Sequence, residues 1–186
     1  MKKAFPIALV IVGLIFLGAG GFTVARGLDA KSQVRAELVA QNITTPEDAS
    51  IPNVQVTDAA TARSMAEIIG VHAEGITGGK TFAEMGRFLA PDGGDTSDEA
   101  AALKDAEGNP VPNPLRDVAF QASSLRTSLY TSVMAFNVAD LALGIGALIV
   151  VLGFAIGGVG VALGGLAIPA LARRLKVEPV AARPIR

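Results

Sequence analysis

The feature that most constrains this chain is an apolar stretch, residues 141–172, that carries no charged side chain. A run of this kind longer than about 18 residues is typical of a membrane span, because lipid offers the backbone no hydrogen-bond partner outside its own helix. A core helix of a soluble protein needs only one apolar stripe. We therefore predict a second transmembrane helix with an outward extension, together covering residues 128–172.

A second charge-free run, residues 5–25, lies near the N-terminus. As a helix it would be about 31 Å long, which is enough to cross a bilayer core. The alternative is a cleaved signal peptide, since Lys2 and Lys3 precede the run and Thr23-Val-Ala25 resembles a cleavage site. The run is longer than the usual apolar segment of about 7–15 residues in a signal peptide, which favours an uncleaved first transmembrane helix.

Charge is distributed unevenly along the chain. Residues 27–127 contain eight Lys and Arg against fifteen Asp and Glu, whereas both ends of the chain are basic. The positive-inside rule then predicts that residues 1–4 and the basic tail 173–186 are cytoplasmic and that residues 26–127 form an extracytoplasmic domain. We expect a plasma-membrane protein in contact with lipid, and no basic patch suggests a nucleic-acid partner.

The domain between the spans is predicted to be small and mainly helical. Asp58 is a suitable N-cap for a helix over Ala59–Ala73, and Phe82–Leu89 is expected to form one or two helical turns. Residues 91–114 are rich in Pro and Gly and are predicted to be irregular. Helical signals resume at Pro114 and continue into the second span. The predicted fold is an all-α membrane protein with two transmembrane helices, the second long and extended outside the bilayer.

Glycine is concentrated on one face of the second span. The glycines of this face are separated by 7, 4, 3 and 4 residues, and they are Gly146, Gly153, Gly157, Gly160 and Gly164. The first span offers a sparser counterpart at heptad spacing in Gly13, Gly20 and Gly27. Small residues let two helix backbones approach closely in lipid. We predict helix packing through these glycines, either between the two spans or against another protein.

Asp140 is a candidate intramembrane polar contact, together with Asn137 on the same helical face. Counted inwards from Tyr130, Asp140 would lie near the midplane of the bilayer. Counted back from Arg173, a span of about 20 residues leaves Asp140 outside the lipid. An interfacial or protein-paired carboxylate is favoured over a proton relay, because a charge within lipid is costly.

The sequence Gly78-Gly79-Lys80-Thr81 resembles the end of a phosphate-binding loop, but the position where that motif requires its first glycine holds Glu74. Nucleotide binding is therefore not predicted. We interpret Gly78, Gly79 and Lys80 as a structural turn, with positive φ at a glycine and Lys80 paired with a carboxylate such as Glu84.

No catalytic group, cofactor site or metal site is predicted from the side chains present. His72 is the only histidine and the chain has no cysteine, so metal sites that need paired histidines or thiolates cannot be built within one chain. We therefore expect a protein that is not an enzyme.

Two stretches resemble a family of small actinobacterial membrane proteins with two spans. They are HAEGITGGKTFAEM (His72–Met85) and SSLRTSLYTSVMAFNVADLALGIGALIVVLGFAI (Ser123–Ile156). The family shares a basic N-terminal anchor, a TGGKT[YF]AE turn and an LR[AT]SL[FY]TSVxAF entry into the second helix. The resemblance implies no established biochemical function. Some members are described as ring-opening dioxygenases, which the single histidine here argues against. The chain departs from the family in residues 91–114 and in its tail, residues 157–186.

These features predict a non-catalytic accessory or structural subunit that docks laterally on a larger membrane complex. A respiratory supercomplex of actinobacteria is the specific candidate. The alternative is an extracytoplasmic binding or sensing module for a lipid, a cell-wall fragment or a cation. That alternative predicts a concave apolar pocket between the helix over Ala59–Ala73 and the outer part of the last helix.

Overall fold

The computed structural model describes the backbone of residues 4–175 and the side chains of residues 4–165. Within that part, the elements are, in order, α1 (Ala4–Ala40), α2 (Ala59–Thr77), β1 (Phe88–Leu89), β2 (Asp95–Thr96) and α3 (Pro114–Leu175). The chain is mostly helical, as predicted, and the short sheet is a departure from an all-α fold. The predicted cytoplasmic N-terminus (1–4) falls outside the described residues except for Ala4. The basic tail (173–186) falls outside them beyond Leu175.

Two of the helices are long and apolar enough to cross a membrane: α1, and α3 as far as Gly165. Within their most apolar stretches, 11 % of the α1 residues and 17 % of the α3 residues are buried, whereas the core helix of a soluble protein is mostly buried. Length, apolarity and exposure together are those of helices that could span a membrane.

The chain divides into two compact units. The first, which we call the paired-helix unit, is made from the described parts of residues 1–29 and 139–186. The second, which we call the central unit, comprises Ala30–Val138. Each has its own internal contacts and is described separately below.

The central unit is built around a small apolar core to which all three helices contribute. Its buried members are Leu38, Val56, Ala62, Ala66, Leu129, Val133 and Phe136. Ala62 and Ala66 of α2 are completely buried, and small side chains of this kind let neighbouring helices approach closely. The segment between α1 and α2 is also fixed to this core, because Val56 is fully buried and its N–H donates to the carbonyl of Ile43.

The ends of α2 follow from local chemistry. Asp58 is the N-cap: its carboxylate accepts from the backbone N–H of Thr61, while the Thr61 hydroxyl accepts from the N–H of Asp58, which completes a capping box. At the other end Gly78 has a φ of 65°, a left-handed conformation that favours glycine and ends the helix. The helix therefore runs four residues beyond the predicted end at Ala73, since no residue before Gly78 stops it.

The prediction of helical turns over Phe82–Leu89 is wrong. Residues 82–85 form a non-helical turn, and Phe88–Leu89 is β1, which pairs antiparallel with β2 (Phe88 opposite Thr96). The pairing is favoured because the backbone of Thr96 lies directly against Gly86, where no side chain intervenes. The region predicted to be irregular, 91–114, consists largely of turns and single bridges, and it contains β2.

Candidate functional site

The central unit contains a concave groove with a volume of about 480 Å³. It is lined by Glu37, Leu38, Gln41, Ile43, Met65, Ile69, Leu125, Ser128, Leu129 and Ser132. We call this feature the groove. Its volume falls in the range of about 300–1,000 Å³ that is typical of small-molecule sites, and its walls are mainly aliphatic, as such sites usually are.

The position of the groove follows from helical spacing. Met65 and Ile69 lie one turn apart on α2, so they present one continuous apolar wall. Leu125 and Leu129 have the same spacing on α3 and form the opposite wall, with Leu129 buried in the core. Leu38, near the end of α1, is also buried. The groove therefore lies among α1, α2 and α3, and it includes the faces of α2 and α3 between which the binding-module hypothesis predicted an apolar pocket.

The loop that closes one side of the groove is held by hydrogen bonds to α2 and within itself. The hydroxyl of Ser64, which is buried, accepts from the hydroxyl of Ser50 and from the backbone N–H of Ile51, at 2.9 Å each. Thr45 is also buried, and its N–H donates to the carbonyl of Val54. These bonds fix residues 43–56 and hold the side chain of Ile43 on the groove.

The polar groups of the groove mostly present hydrogen-bond acceptors. The hydroxyl protons of Ser128 and Ser132 are used within α3, where they are donated to the carbonyls of Ser124 and Ser128 at 3.0 and 3.2 Å. Their oxygen lone pairs stay available. The Glu37 carboxylate lies on the groove and, among the described residues, makes no ion pair within 4 Å. The ten residues that line the groove include no Lys or Arg.

In the paired-helix unit, α1 and α3 pack antiparallel through the predicted glycines. A Cβ built on Gly13 would lie 2.6 Å from Cα of Gly157, and one on Gly20 would lie 2.7 Å from the carbonyl oxygen of Gly146. Gly27, a further heptad along α1, faces Leu143. The first helix therefore occupies the glycine face of α3, which answers whether that face packs within the chain or against another protein. A heptad repeat of contacts is typical of a left-handed helix pair.

The five glycines of α3 differ in how closely they approach α1. At Gly146, Gly153 and Gly160 of α3, an added Cβ would come within 3.0 Å of backbone atoms of α1. At Gly157 and Gly164 the nearest atoms of α1 would be 3.7 and 3.8 Å away, an ordinary van der Waals distance. Three of the five glycines are therefore required by close approach of the backbones, and two are not.

The register of this helix pair gives the distance of Asp140 along α3 from the glycine contacts. Gly13, near the middle of the charge-free run of α1, lies against Gly153, and Asp140 is about 20 Å from Gly153 along α3 at 1.5 Å per residue. A hydrocarbon core about 30 Å thick, centred on this region, extends only about 15 Å in each direction. Asp140 would therefore lie outside it, and both Asp140 and Asn137 are exposed. The interfacial position of Asp140 stays a prediction.

The glycine turn after α2 is joined to the short sheet. Gly78 and Gly79 both have positive φ, 65° and 82°, and the N–H of Gly79 donates to the carbonyl of Glu74. Lys80 pairs with a carboxylate, as predicted, but its partner is Asp95 and not Glu84: the Lys80 Nζ donates to Asp95 at 2.9 Å. Glu84 instead accepts from the N–H and hydroxyl of Thr81.

Asp95 links this turn to β2 by accepting from two donors. The Lys80 ammonium group lowers the pKa of the Asp95 carboxyl most strongly, and the backbone N–H of Gly86 lowers it further. The carboxylate therefore stays ionised at neutral pH and holds the turn against the hairpin. These contacts give the turn a structural role.

His72 contacts a single carboxylate. Its Nε2 lies 2.6 Å from Asp48, and this hydrogen bond is the main reason that the pKa of Asp48 is lowered. Among the described residues, no group of three or more His, Cys, Asp or Glu side chains is arranged to hold a metal ion.

Sequence reasoning identified the general location of the groove but missed all four of its polar residues. Glu37 and Gln41 are separated by one helical turn, and so are Ser128 and Ser132. Each pair follows a helical spacing, but only the fold shows that both pairs border the same groove. Asp95 was also missed, because it lies 15 residues from Lys80 in the chain.

No family model, curated protein or solved structure matches this chain. The resemblance to the actinobacterial two-span family stays a prediction.

Proposed function

We propose that this chain is a membrane-anchored binding module whose groove takes the alkyl chain of an amphiphilic molecule. The observation that carries the proposal is the groove itself, an apolar cleft of about 480 Å³ bounded by α1, α2 and α3. Burial of a methylene group contributes about 0.8 kcal/mol, so each methylene group of an alkyl chain that enters an aliphatic groove favours binding. The adjoining acceptors would meet the polar end of the ligand.

Membrane attachment supports this choice of ligand. In our proposal α1 and α3 span the plasma membrane, both termini are cytoplasmic and residues 26–127 lie outside. The supports are the two apolar helices, the basic ends of the chain and the acidic segment between the spans. A protein anchored in lipid meets amphiphiles at high local concentration, so a groove of modest affinity would still be occupied.

The test is photolabelling of the full chain in lipid nanodiscs with a dodecyl alcohol that carries a diazirine in its chain. Labelled peptides are then mapped by mass spectrometry. We expect labels on α2 and α3 residues of the groove, and their loss in Ile69→Trp, whose larger side chain fills the cleft. The matched control is Val71→Trp, because Val71 is exposed on the opposite side of α2 and does not line the groove.

Two safeguards make the test decisive. Leu125→Trp blocks the groove from α3 at a residue that is already 54 % exposed, so it tests the same point with little disturbance of the core. Circular dichroism and a melting curve for each variant separate loss of binding from loss of fold. Equal labelling of the original chain and both groove variants would contradict the proposal.

The accessory-subunit function is a second candidate and rests on a different surface. Phe120, Met134 and Val138 lie on one face of α3 in the central unit, and they are 55 %, 61 % and 60 % exposed. These residues precede the charge-free stretch, so lipid tails need not cover them, and an exposed apolar stripe is typical of a docking surface. The glycine face no longer supports docking on a larger complex, because α1 fills it.

A pull-down of the tagged chain in mild detergent, expressed at its native level, tests the second candidate. A membrane complex that co-purifies with the original chain and with Val71→Glu, but not with Met134→Glu, would support docking through this stripe. Recovery of the chain alone from all three samples would count against it.

A further inference from the structure

We propose that the groove selects amphiphiles with a cationic, hydrogen-bond-donating head, such as an alkyl ammonium group, over anionic ones. This inference rests on the proposed function, because it assumes that an alkyl chain enters the groove. It adds the chemical class of the head group. It is argued from the charge and hydrogen-bonding state of the four polar residues that line the groove.

The first step is the charge of the groove. Glu37 supplies a carboxylate, and no Lys or Arg is among the ten lining residues. Glu37 makes no side-chain hydrogen bond and no ion pair with any described residue, so no contact within that part of the chain neutralises its charge. A phosphate or carboxylate head placed beside Glu37 would meet like charge, whereas an ammonium head would meet its opposite.

The second step is the direction of the hydrogen bonds. The hydroxyls of Ser128 and Ser132 donate to carbonyls of α3, which leaves their oxygen lone pairs free to accept from a ligand. Glu37 can also only accept when ionised. Gln41 can do either. Three of the four polar lining residues therefore offer acceptors to a ligand, and an ammonium group has up to three N–H donors.

The third step is the arrangement of these groups. Glu37 and Gln41 are one turn apart on α1, and Ser128 and Ser132 are one turn apart on α3. Each pair therefore presents its polar atoms as a short row on one helical face. The aliphatic wall of Met65 and Ile69 belongs to α2. Leu38, Leu125 and Leu129 line the groove beside these rows on the same two helices, so an alkyl chain packed on them places a donor-bearing head next to acceptors.

The experiment compares two photoactivatable probes that differ only in the head group, dodecylamine and dodecanoic acid, each with a diazirine in the chain. The full chain is labelled in nanodiscs of zwitterionic lipid. Labelling of groove peptides is divided by labelling of peptides from the transmembrane helices, which corrects for how strongly each probe enters the bilayer. The variants are Glu37→Gln and, as a matched control, Glu67→Gln, an exposed glutamate of α2 outside the groove.

We expect the amine to label the groove more strongly than the acid. Glu37→Gln should reduce this preference by about two- to fivefold, the effect of losing one exposed ion pair, and Glu67→Gln should leave it unchanged. Equal labelling by both probes, or equal effects of the two variants, would overturn the head-group inference. If Ile69→Trp still abolished labelling by both probes, the proposed function would stand. If neither probe labelled the groove, both the proposed binding of an alkyl chain and the head-group preference would be contradicted.

Discussion

The glycines of the helix pair make a sharp prediction, because the structure separates positions that look alike in the sequence. In Gly13→Ala the new methyl group would lie 2.6 Å from Cα of Gly157, 2.7 Å from its nitrogen and 2.8 Å from the carbonyl oxygen of Gly153. Ordinary contacts between such atoms are about 3.5–4.0 Å. All three atoms belong to the backbone and cannot rotate away, so the two helices must separate by about 1 Å at this point.

The cost of that separation can be estimated. A gap of about 0.5–1 Å forfeits a quarter to a half of the dispersion energy of each contact pair, and overpacking of a close-packed interface costs about 1–3 kcal/mol. We therefore expect Gly13→Ala to destabilise the helix pair by about 1–3 kcal/mol. Gly157→Ala should cost far less, although Gly157 faces Gly13, because its added methyl group would meet only Cα of Gly13 at 3.7 Å.

The assay is a titration with sodium dodecyl sulfate in mixed micelles, followed by energy transfer between two dyes. The chain has no cysteine, so cysteines introduced at Leu14 and Phe154 label specifically, and both of these side chains are exposed. Gly18→Ala is a further control, since a Cβ there meets nothing within 4 Å. The packing account would be refuted if Gly13→Ala behaved like Gly18→Ala, or if Gly157→Ala were as destabilising as Gly13→Ala.

Two further predictions concern the central unit. Asp58→Ala removes the capping box and should lower stability by about 1 kcal/mol in thermal or denaturant unfolding. The backbone N–H of Thr61 lowers the pKa of the Asp58 carboxyl. The stabilisation is therefore present above the ordinary pKa of this carboxyl and is lost as the pH falls through its pKa in the folded chain. The difference in stability between Asp58→Ala and the original chain should disappear in acid. Gly86→Ala should destabilise the hairpin, because its methyl group would collide with the backbone of Thr96. Gly75→Ala should not, because open space surrounds that position. Hydrogen exchange of the hairpin amides measures the difference between the two variants. Equal exchange in the two variants would contradict the collision.

The sequence predicted features that depend on helical periodicity. The apolar runs, the shared face of the glycines and the apolar face of α2 beside the groove all follow from the repeat of an α-helix. The spacing could not separate Gly153 from Gly157, because the tightness of each contact depends on the axial rotation and register of two helices that are distant in the chain.

The predictions that were wrong also failed because of contacts between segments that are distant in the chain. A local rule suggested that Lys80 pairs with Glu84, four residues away, but Thr81 already donates two hydrogen bonds to that carboxylate. Lys80 instead contacts Asp95, which the hairpin brings close. The helical turns predicted over Phe82–Leu89 fail for a related reason, because pairing between β1 and β2 overrides the local preference.

The groove illustrates what a single sequence cannot supply. Its two apolar walls could be anticipated, but the position of Glu37 beside them depends on where α1 ends and on how the loop over residues 43–56 is fastened to α2. That loop is held by the buried hydroxyl of Ser64, an unremarkable serine in the sequence. Contacts between distant segments therefore determine the chemistry of the site.

The measurement that tests the central claim most directly is an isotope-edited NMR experiment on the full chain in nanodiscs of deuterated lipid with protonated dodecylamine added. We predict nuclear Overhauser effects from the alkyl chain to the methyl groups of Met65, Ile69 and Leu129, which line the groove, and none to Val71 on the opposite side of α2. Effects of equal strength at Val71 and Ile69, or none at any of the groove methyl groups, would contradict a binding function for the groove.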